Sequence, residues 1–339
     1  MASTSTHTRR GWTLGFLALT CAGLLGASPA CAKGPGGDSP QPRPATARPR
    51  TTAAHHGPAG RTLLFSQPSR FNGRVYVYQE GPNRVLRFAP RGARQSVARP
   101  GHPEHLELLY TQGAVAALAA VEDPRRVLVV GLGGGSLPRF ILHYFPSARV
   151  DAVDIDPVVV EAAQKWFELP RPPAPEAERL RVHVADGRAF LEGAGAARWD
   201  VIILDAYGNA SPPPALTTAE FLGAVRDHLA PGGVAVANVW VRRYNPLYDR
   251  MVATYASVFG AVQGVEVPAG SDLLLVCGPT TPAHPCRAGR RALVTGSEHL
   301  ARRLALSFDL AALVRAGYHP ARVAPGVIPL RDPRQGPRR

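Results

Sequence analysis

Between residues 126 and 277, short apolar runs of strand length alternate with stretches of helical periodicity. Residues 126–130 read as a buried strand, and residues 136–145 as the helix that follows. Residues 149–154 are a second strand, and residues 157–167 a helix with Pro157 in its first turn. Residues 181–185 and 200–204 are further strands. Residues 217–229 form a helix in which Thr217 and Glu220 have capping-box spacing. Pro231-Gly232-Gly233 turns the chain into a strand at 234–239, and Asn245-Pro246 opens a helix running to about Phe259. Residues 262–267 and 273–277 close the series as a strand pair. Alternation at this spacing predicts an α/β fold with a doubly wound, mostly parallel sheet. Such sheets bind ligands in the crevice outside the carboxyl ends of their strands.

The flanks differ in character. Val75-Tyr76-Val77-Tyr78 and Arg84-Val85-Leu86-Arg87-Phe88 are β-like runs separated by Glu80-Gly81-Pro82-Asn83, a hairpin signal. A small β-domain over 61–106 is therefore expected ahead of a core over 107–278, whose first helix ends before Pro124. Residues 33–60 are rich in Pro, Gly, Ala, Thr and Arg and nearly devoid of large apolar residues, the composition of a disordered linker. Residues 1–32 read as a signal peptide, with Arg9-Arg10, an uncharged apolar run from Trp12 to Leu25, and Ala30-Cys31-Ala32 as cleavage site. Thr8-Arg9-Arg10-Gly11-Trp12 loosely resembles a twin-arginine signal. Export to a periplasm or beyond is expected. A membrane anchor is the alternative, although the run is short for a span of ~20 residues. After Gly278, two short helical stretches at 298–305 and 310–316 are expected as an accessory tail with a basic, disordered end.

The formal charge of +14 would suit a nucleic-acid binder, but its visible clusters are terminal: Arg9, Arg10, Arg43, Arg48 and Arg50, then Arg331, Arg334, Arg338 and Arg339. A nucleic-acid footprint gathers its cations on one element, so nucleic acid is not favoured as a partner. Cleavage of the signal would leave Cys277 and Cys286, either bridged or as two free thiols. No His, Cys and carboxylate set has metal-ligand spacing, so no metal is expected.

The chemistry concentrates at the strand ends. Gly131-Leu132-Gly133-Gly134-Gly135 follows the first core strand and opens a helix, where glycine lets backbone approach a ligand. This is the Rossmann-like context. Asp154 ends the second strand, placed to accept hydrogen bonds from ribose hydroxyls, while Asp156 is placed to cap the next helix. Asp186-Gly187 follows the third strand, where a carboxylate can either accept from an adenine amino group or cap a helix, and Asp205 ends the fourth. The loop is G-x-G-x-G followed by Ser136, not the G-x-G-x-x-G of dinucleotide sites, which counts against NAD.

These residues resemble the spermidine synthase family, the polyamine aminopropyltransferases, whose fold is shared with class I methyltransferases. Val127 through Gly135 is similar to the family's glycine motif, Val153-Asp154-Ile155-Asp156 to its ribose-binding acidic segment, and Ala185-Asp186-Gly187-Arg188 to its adenine-side segment. Asp205-Ala206-Tyr207-Gly208 stands where the family has its catalytic aspartate loop. Gly92-Ala93-Arg94-Gln95 resembles the segment whose Gln contacts the nucleoside, and Tyr110 a substrate-side tyrosine. The resemblance implies Asp205, Tyr207 and Tyr110 as catalytic residues. It implies Gln95, Gly131, Gly133, Gly135, Asp154, Ile155, Asp186 and Gly187 as the holders of S-adenosylmethionine or its decarboxylated form. It further implies an amine or other small acceptor, and a homodimer as one assembly to be expected.

Two departures bear on the reaction. The family carries aspartates where this chain has Gly134 and Gly208. In the family those carboxylates hold the aminopropyl ammonium and assist the attacking amine. An ammonium leaving water needs opposite charge beside it. Three readings follow: an aminopropyltransferase of polyamine biosynthesis, a methyltransferase using S-adenosylmethionine, or a non-catalytic nucleoside binder.

Overall fold

The computed structural model describes residues 60–208, 212–268 and 270–333. The expected signal peptide, all but the last residue of the expected linker and the extreme basic end lie outside the described residues.

The chain first forms an antiparallel meander of β1 (Arg61–Ser69), β2 (Gly73–Glu80), β3 (Asn83–Arg87) and β4 (Ser96–Ala98). The expected hairpin is the β2–β3 pair. Val75 and Val77, two residues apart on β2, turn to one face and are fully buried. They pack with Leu86 against Val159, Ala162 and Phe167.

The core follows as α1 (Leu109–Ala119), β5 (Arg126–Val130), α2 (Ser136–Tyr144), β6 (Arg149–Asp154), α3 (Pro157–Trp166), β7 (Leu180–Val184), α4 (Gly187–Glu192), β8 (Trp199–Leu204), α5 (Ala219–Asp227), β9 (Leu229–Trp240), α6 (Tyr248–Phe259), β10 (Gln263–Val267) and β11 (Ser271–Cys277). Two further helices and a strand complete it: α7 (Arg290–Leu304), α8 (Leu310–Gly317) and β12 (Tyr318–Pro320). The sheet order is β12-β10-β11-β9-β8-β5-β6-β7, parallel from β9 through β7 and antiparallel over β12, β10 and β11. This is the α/β, mostly parallel sheet expected from sequence, with the small β-sheet ahead of it. β5 shows why its sequence is apolar throughout: Val127 and Val129 enter the core on one face, Leu128 and Val130 the core on the other. Strand order reverses at β5, between β6 and β8, and the crevice opens there.

Local details differ from expectation. Thr218, not Thr217, caps α5, accepting from the Phe221 N–H. Thr217 instead donates its hydroxyl to the Pro214 carbonyl, and Glu220 accepts from the Asp332 N–H. Pro231-Gly232-Gly233 lies inside β9, where the register with β8 slips between Trp199 and Val201. The segment after Gly278 is no appendage. Its helix α7 starts well before residue 298, and Leu293, Leu300, Leu310 and Val314 are buried in the main core. Strand β12 extends the sheet through β10. Cys277 and Cys286 are disulfide-bonded, nine residues apart, at the end of β11. Among the described residues, no helix is long and apolar enough to cross a membrane.

Candidate active site

A cavity of about 520 Å³ opens at the carboxyl ends of β5, β6 and β8, within the size range of small-molecule sites. Gly131 makes the first turn out of β5 with φ at +99°, and a Cβ there would lie 2.3 Å from the Asp205 carbonyl oxygen. Only glycine lets the β5 and β8 ends meet this closely. The loop then wraps Asp154, whose Oδ2 accepts from the Leu132 N–H at 3.0 Å and whose Oδ1 accepts from the Asp156 N–H at 2.9 Å. Burial pushes the Asp154 carboxyl up, opposed by backbone N–H groups of Asp156, Leu132 and Gly133. Each oxygen retains acceptor capacity for a ribose hydroxyl.

Asp186 takes the capping role weighed for it and also stands at the cavity. Its Oδ1 caps α4 by accepting from the Ala189 N–H at 2.9 Å, and the residue also lines the cavity. Gly187 sits where a Cβ would meet Val130 at 2.6 Å, so α4 begins against β5. Gln95, Gly133 and Ile155 line the same cavity, Ile155 as an exposed residue of its rim. Gly135 does not line it. This glycine takes φ +73° at the N-cap of α2, and a Cβ there would strike Leu169, so its role is the turn rather than ligand approach. Asp156 caps α3 and also accepts from Ser69 and Asn72, tying the small sheet to the core.

Asp205, Tyr110 and Tyr207 come together in the other half. Asp205 Oδ1 accepts from Asn238 Nδ2 at 3.0 Å, and the Tyr110 hydroxyl also hydrogen-bonds this carboxylate. Burial pushes Asp205 up to about 7 despite both bonds. Burial and the neighbouring carboxylate hold the Tyr110 and Tyr207 hydroxyls protonated above their ordinary range. Tyr207 donates to the Asn238 carbonyl at 2.9 Å and stacks on Trp240 with centroids 5.3 Å apart. Asn238 and Trp240 were missed by sequence reasoning. A polar residue inside the apolar run of β9 was the signal for Asn238.

The two departures from the family differ in kind. Gly208 lines the cavity. Gly134 does not. A Cβ there would lie 2.6 Å from Phe167 Cδ1 and 2.9 Å from Ser96 Oγ, so the space is already filled. Among the described residues lining the cavity, the carboxylates are Asp154, Asp186 and Asp205, and the only Lys or Arg is Arg94. No group of three potential metal ligands occurs among the described residues.

The spermine/spermidine synthase domain model matches residues 111–261, the segment that builds most of this crevice. The polyamine aminopropyltransferase of Vibrio vulnificus is 33% identical over 212 residues, covering 61% of this chain and 68% of that enzyme. The Homo sapiens eEF1A lysine and N-terminal methyltransferase is 34% identical over 209 residues, 56% of this chain but only 29% of that longer protein. Human methyltransferase-like protein 13, solved in complex with SAH, superposes with a TM-score of 0.51 at 30% identity, over 58% of this chain and 93% of that one. A probable spermidine synthase from Corynebacterium glutamicum shares the fold, with a TM-score of 0.59 at 21% identity over 80% of this chain and 96% of that one. With the glycine turn, the strand-end aspartates and the aspartate–tyrosine cluster gathered on one such fold, the chain belongs to the spermine/spermidine synthase family.

Proposed function

We propose that the protein is a transferase that binds intact S-adenosylmethionine and passes its methyl group to a nitrogen acceptor. The observation that carries this reading is the filled space at Gly134. Phe167 and Ser96 occupy the position from which the family's carboxylate would hold an aminopropyl ammonium. No other carboxylate replaces it among the described lining residues beyond Asp154, Asp186 and Asp205. Arg94 at the same cavity favours a donor that keeps its carboxylate and disfavours one that ends in an ammonium alone. The similarity to methyltransferases, one of them solved with SAH, supports the same choice.

In this reading Asp154 receives the ribose hydroxyls and Asp186 the adenine amino group, while Gly131 and Gly133 let the nucleoside chain pass close to backbone. The acceptor nitrogen enters beside Tyr110, Tyr207 and Trp240. The carbon–sulfur bond of the sulfonium breaks as the carbon–nitrogen bond forms, and sulfur leaves as a neutral thioether. The nitrogen's proton passes to the ionised Asp205 carboxylate, whose value of about 7 suits a base working near neutrality.

Calorimetry with S-adenosylmethionine, its decarboxylated form and methylthioadenosine tests the reading. We expect the intact donor to bind at least about tenfold more tightly than the decarboxylated one. The reverse order would restore aminopropyl transfer. Tight methylthioadenosine binding without turnover of either donor would leave a nucleoside binder. We also propose that the protein is exported, a reading supported by the Cys277–Cys286 bond, since disulfides persist in oxidising compartments. A mature N-terminus beginning at Lys33 would support it, and an intact Met1 in the fractionated protein would refute it.

A further inference from the structure

We propose that the C-terminal strap, residues 328–332, is a positioning element of the adenosyl site, acting through the pair Asp332–Arg188. The inference rests on the reading of the cavity as an adenosyl site and adds to it a part that lies outside the family match at 111–261.

The wall of the cavity around Asp186 is locally weak. Helix α4 has six residues, too few to be stable alone. Asp186 and Gly187 line the cavity, and Arg188 is the next residue in the chain. Leu216, on the turn before α5, lines the cavity beside them. A single guanidinium joins these pieces. Arg188 makes a two-pronged pair with Asp332, Nη1 to Oδ1 at 2.7 Å and Nη2 to Oδ2 at 2.6 Å. Its Nε donates to Glu192 at 2.7 Å, along the same helix. Its Nη1 also reaches the Ala215 carbonyl at 3.5 Å and the Thr218 hydroxyl at 3.4 Å, on the Leu216 turn.

Asp332 is itself held in place. Its N–H donates to Glu220 at 2.9 Å. Two residues earlier, the Leu330 carbonyl accepts from the Ala219 N–H at 2.9 Å, which satisfies an otherwise orphaned donor in the first turn of α5. The Leu330 N–H donates to Thr254 on α6 at 2.8 Å, and Arg250 donates to the Ile328 carbonyl at 3.1 Å. The Leu330 side chain packs on the core beneath α5 and α6. A lone exposed ion pair contributes little. This one differs because both partners are anchored by several further bonds, and the fork geometry fixes orientation as well as distance. The hydrogen bonds from Arg188 hold the Asp332 carboxyl below the usual carboxylate range, so the pair stays charged at neutral pH. The strap thus fixes where α4 begins, and with it the carboxylate of Asp186.

The test uses the full-length protein and methylthioadenosine as the probe. Asp332→Asn is expected to weaken methylthioadenosine binding about five- to tenfold in calorimetry, with Tm lowered by no more than about 2 °C. Amides of residues 187–191 are expected to exchange faster in unliganded Asp332→Asn than in wild type. Asp332→Glu, which keeps the charge, is expected to bind within about twofold of wild type. Wild-type affinity in Asp332→Asn would overturn the inference. So would an affinity loss in both variants that merely follows a large drop in Tm. Absence of binding by the wild type overturns the adenosyl reading and this inference with it. A binding wild type with an unaffected Asp332→Asn overturns this inference alone.

Discussion

The two halves of the cavity hold their carboxylates by different means. In the half proposed to take the donor, burial pushes the Asp154 carboxyl up, and backbone N–H groups of Asp156, Leu132 and Gly133 oppose it. In the half proposed to take the acceptor, Asp205 has side-chain donors instead, Asn238 and Tyr110, and burial raises it to about 7. Backbone N–H groups fixed at strand ends and helix starts oppose the effect of burial and favour the ionised carboxylate. One held by side chains alone stays near the point where a proton is easily taken up or released. On the proposed reading, recognition and proton transfer would be separated by the source of the hydrogen bonds, not by the kind of residue.

Substitution at Asp205 should cost most. Asp205→Asn should lower turnover about 10²–10⁴-fold while methylthioadenosine affinity changes by less than about twofold. An equal loss of affinity would break the division between halves. In the wild type, turnover should rise with pH through about 7, as Asp205 ionises. The same group affects stability. Its native value lies above the unfolded value of 3.8, so the native state retains a proton that the unfolded chain releases. Stability therefore falls as pH rises from about 4 to about 7, with a ceiling on the order of 4 kcal/mol. Urea midpoints at pH 5 and pH 8 should show that fall in wild type and a reduced fall in Asp205→Asn.

Asp154→Ala should come next, weakening methylthioadenosine about 10–100-fold, because a charge-assisted acceptor and the anchor of the glycine turn are lost together. Unchanged calorimetric affinity would remove Asp154 from the donor half. Gly134→Asp should cost about 1–3 kcal/mol of stability by crowding Phe167, without improving binding of the decarboxylated donor. Adding Phe167→Ala should relieve the crowding and shift preference toward that donor. A Gly134→Asp protein of full stability that already prefers the decarboxylated donor would show that Phe167 does not set the choice. The smallest effect on either half belongs to the disulfide. Replacing Cys277 and Cys286 by Ala should lower stability by about 2–3 kcal/mol, read from urea midpoints, and leave methylthioadenosine affinity unchanged.

The alternation of strands and helices, and the places of Asp154, Asp186 and Asp205 at strand ends, were legible from the chain alone. Each of these depends on periodicity and on a residue's place relative to its own element, which neighbours in the chain set. Asp156 as a cap of α3 was legible for the same reason. Packing settled what fills the space at Gly134, since Phe167 lies more than thirty residues further on in the chain and Ser96 on another sheet. It also decided that Asn238 joins Asp205 to Tyr207, that Thr218 rather than Thr217 caps α5, and that Gly135 turns the chain without touching the cavity. The tail, rich in Arg and Pro, gave no periodic hint that Leu330 and Asp332 would seat against α4, α5 and α6. Contacts between residues far apart in the chain depend on how packed elements meet, and local pattern carries no record of that meeting.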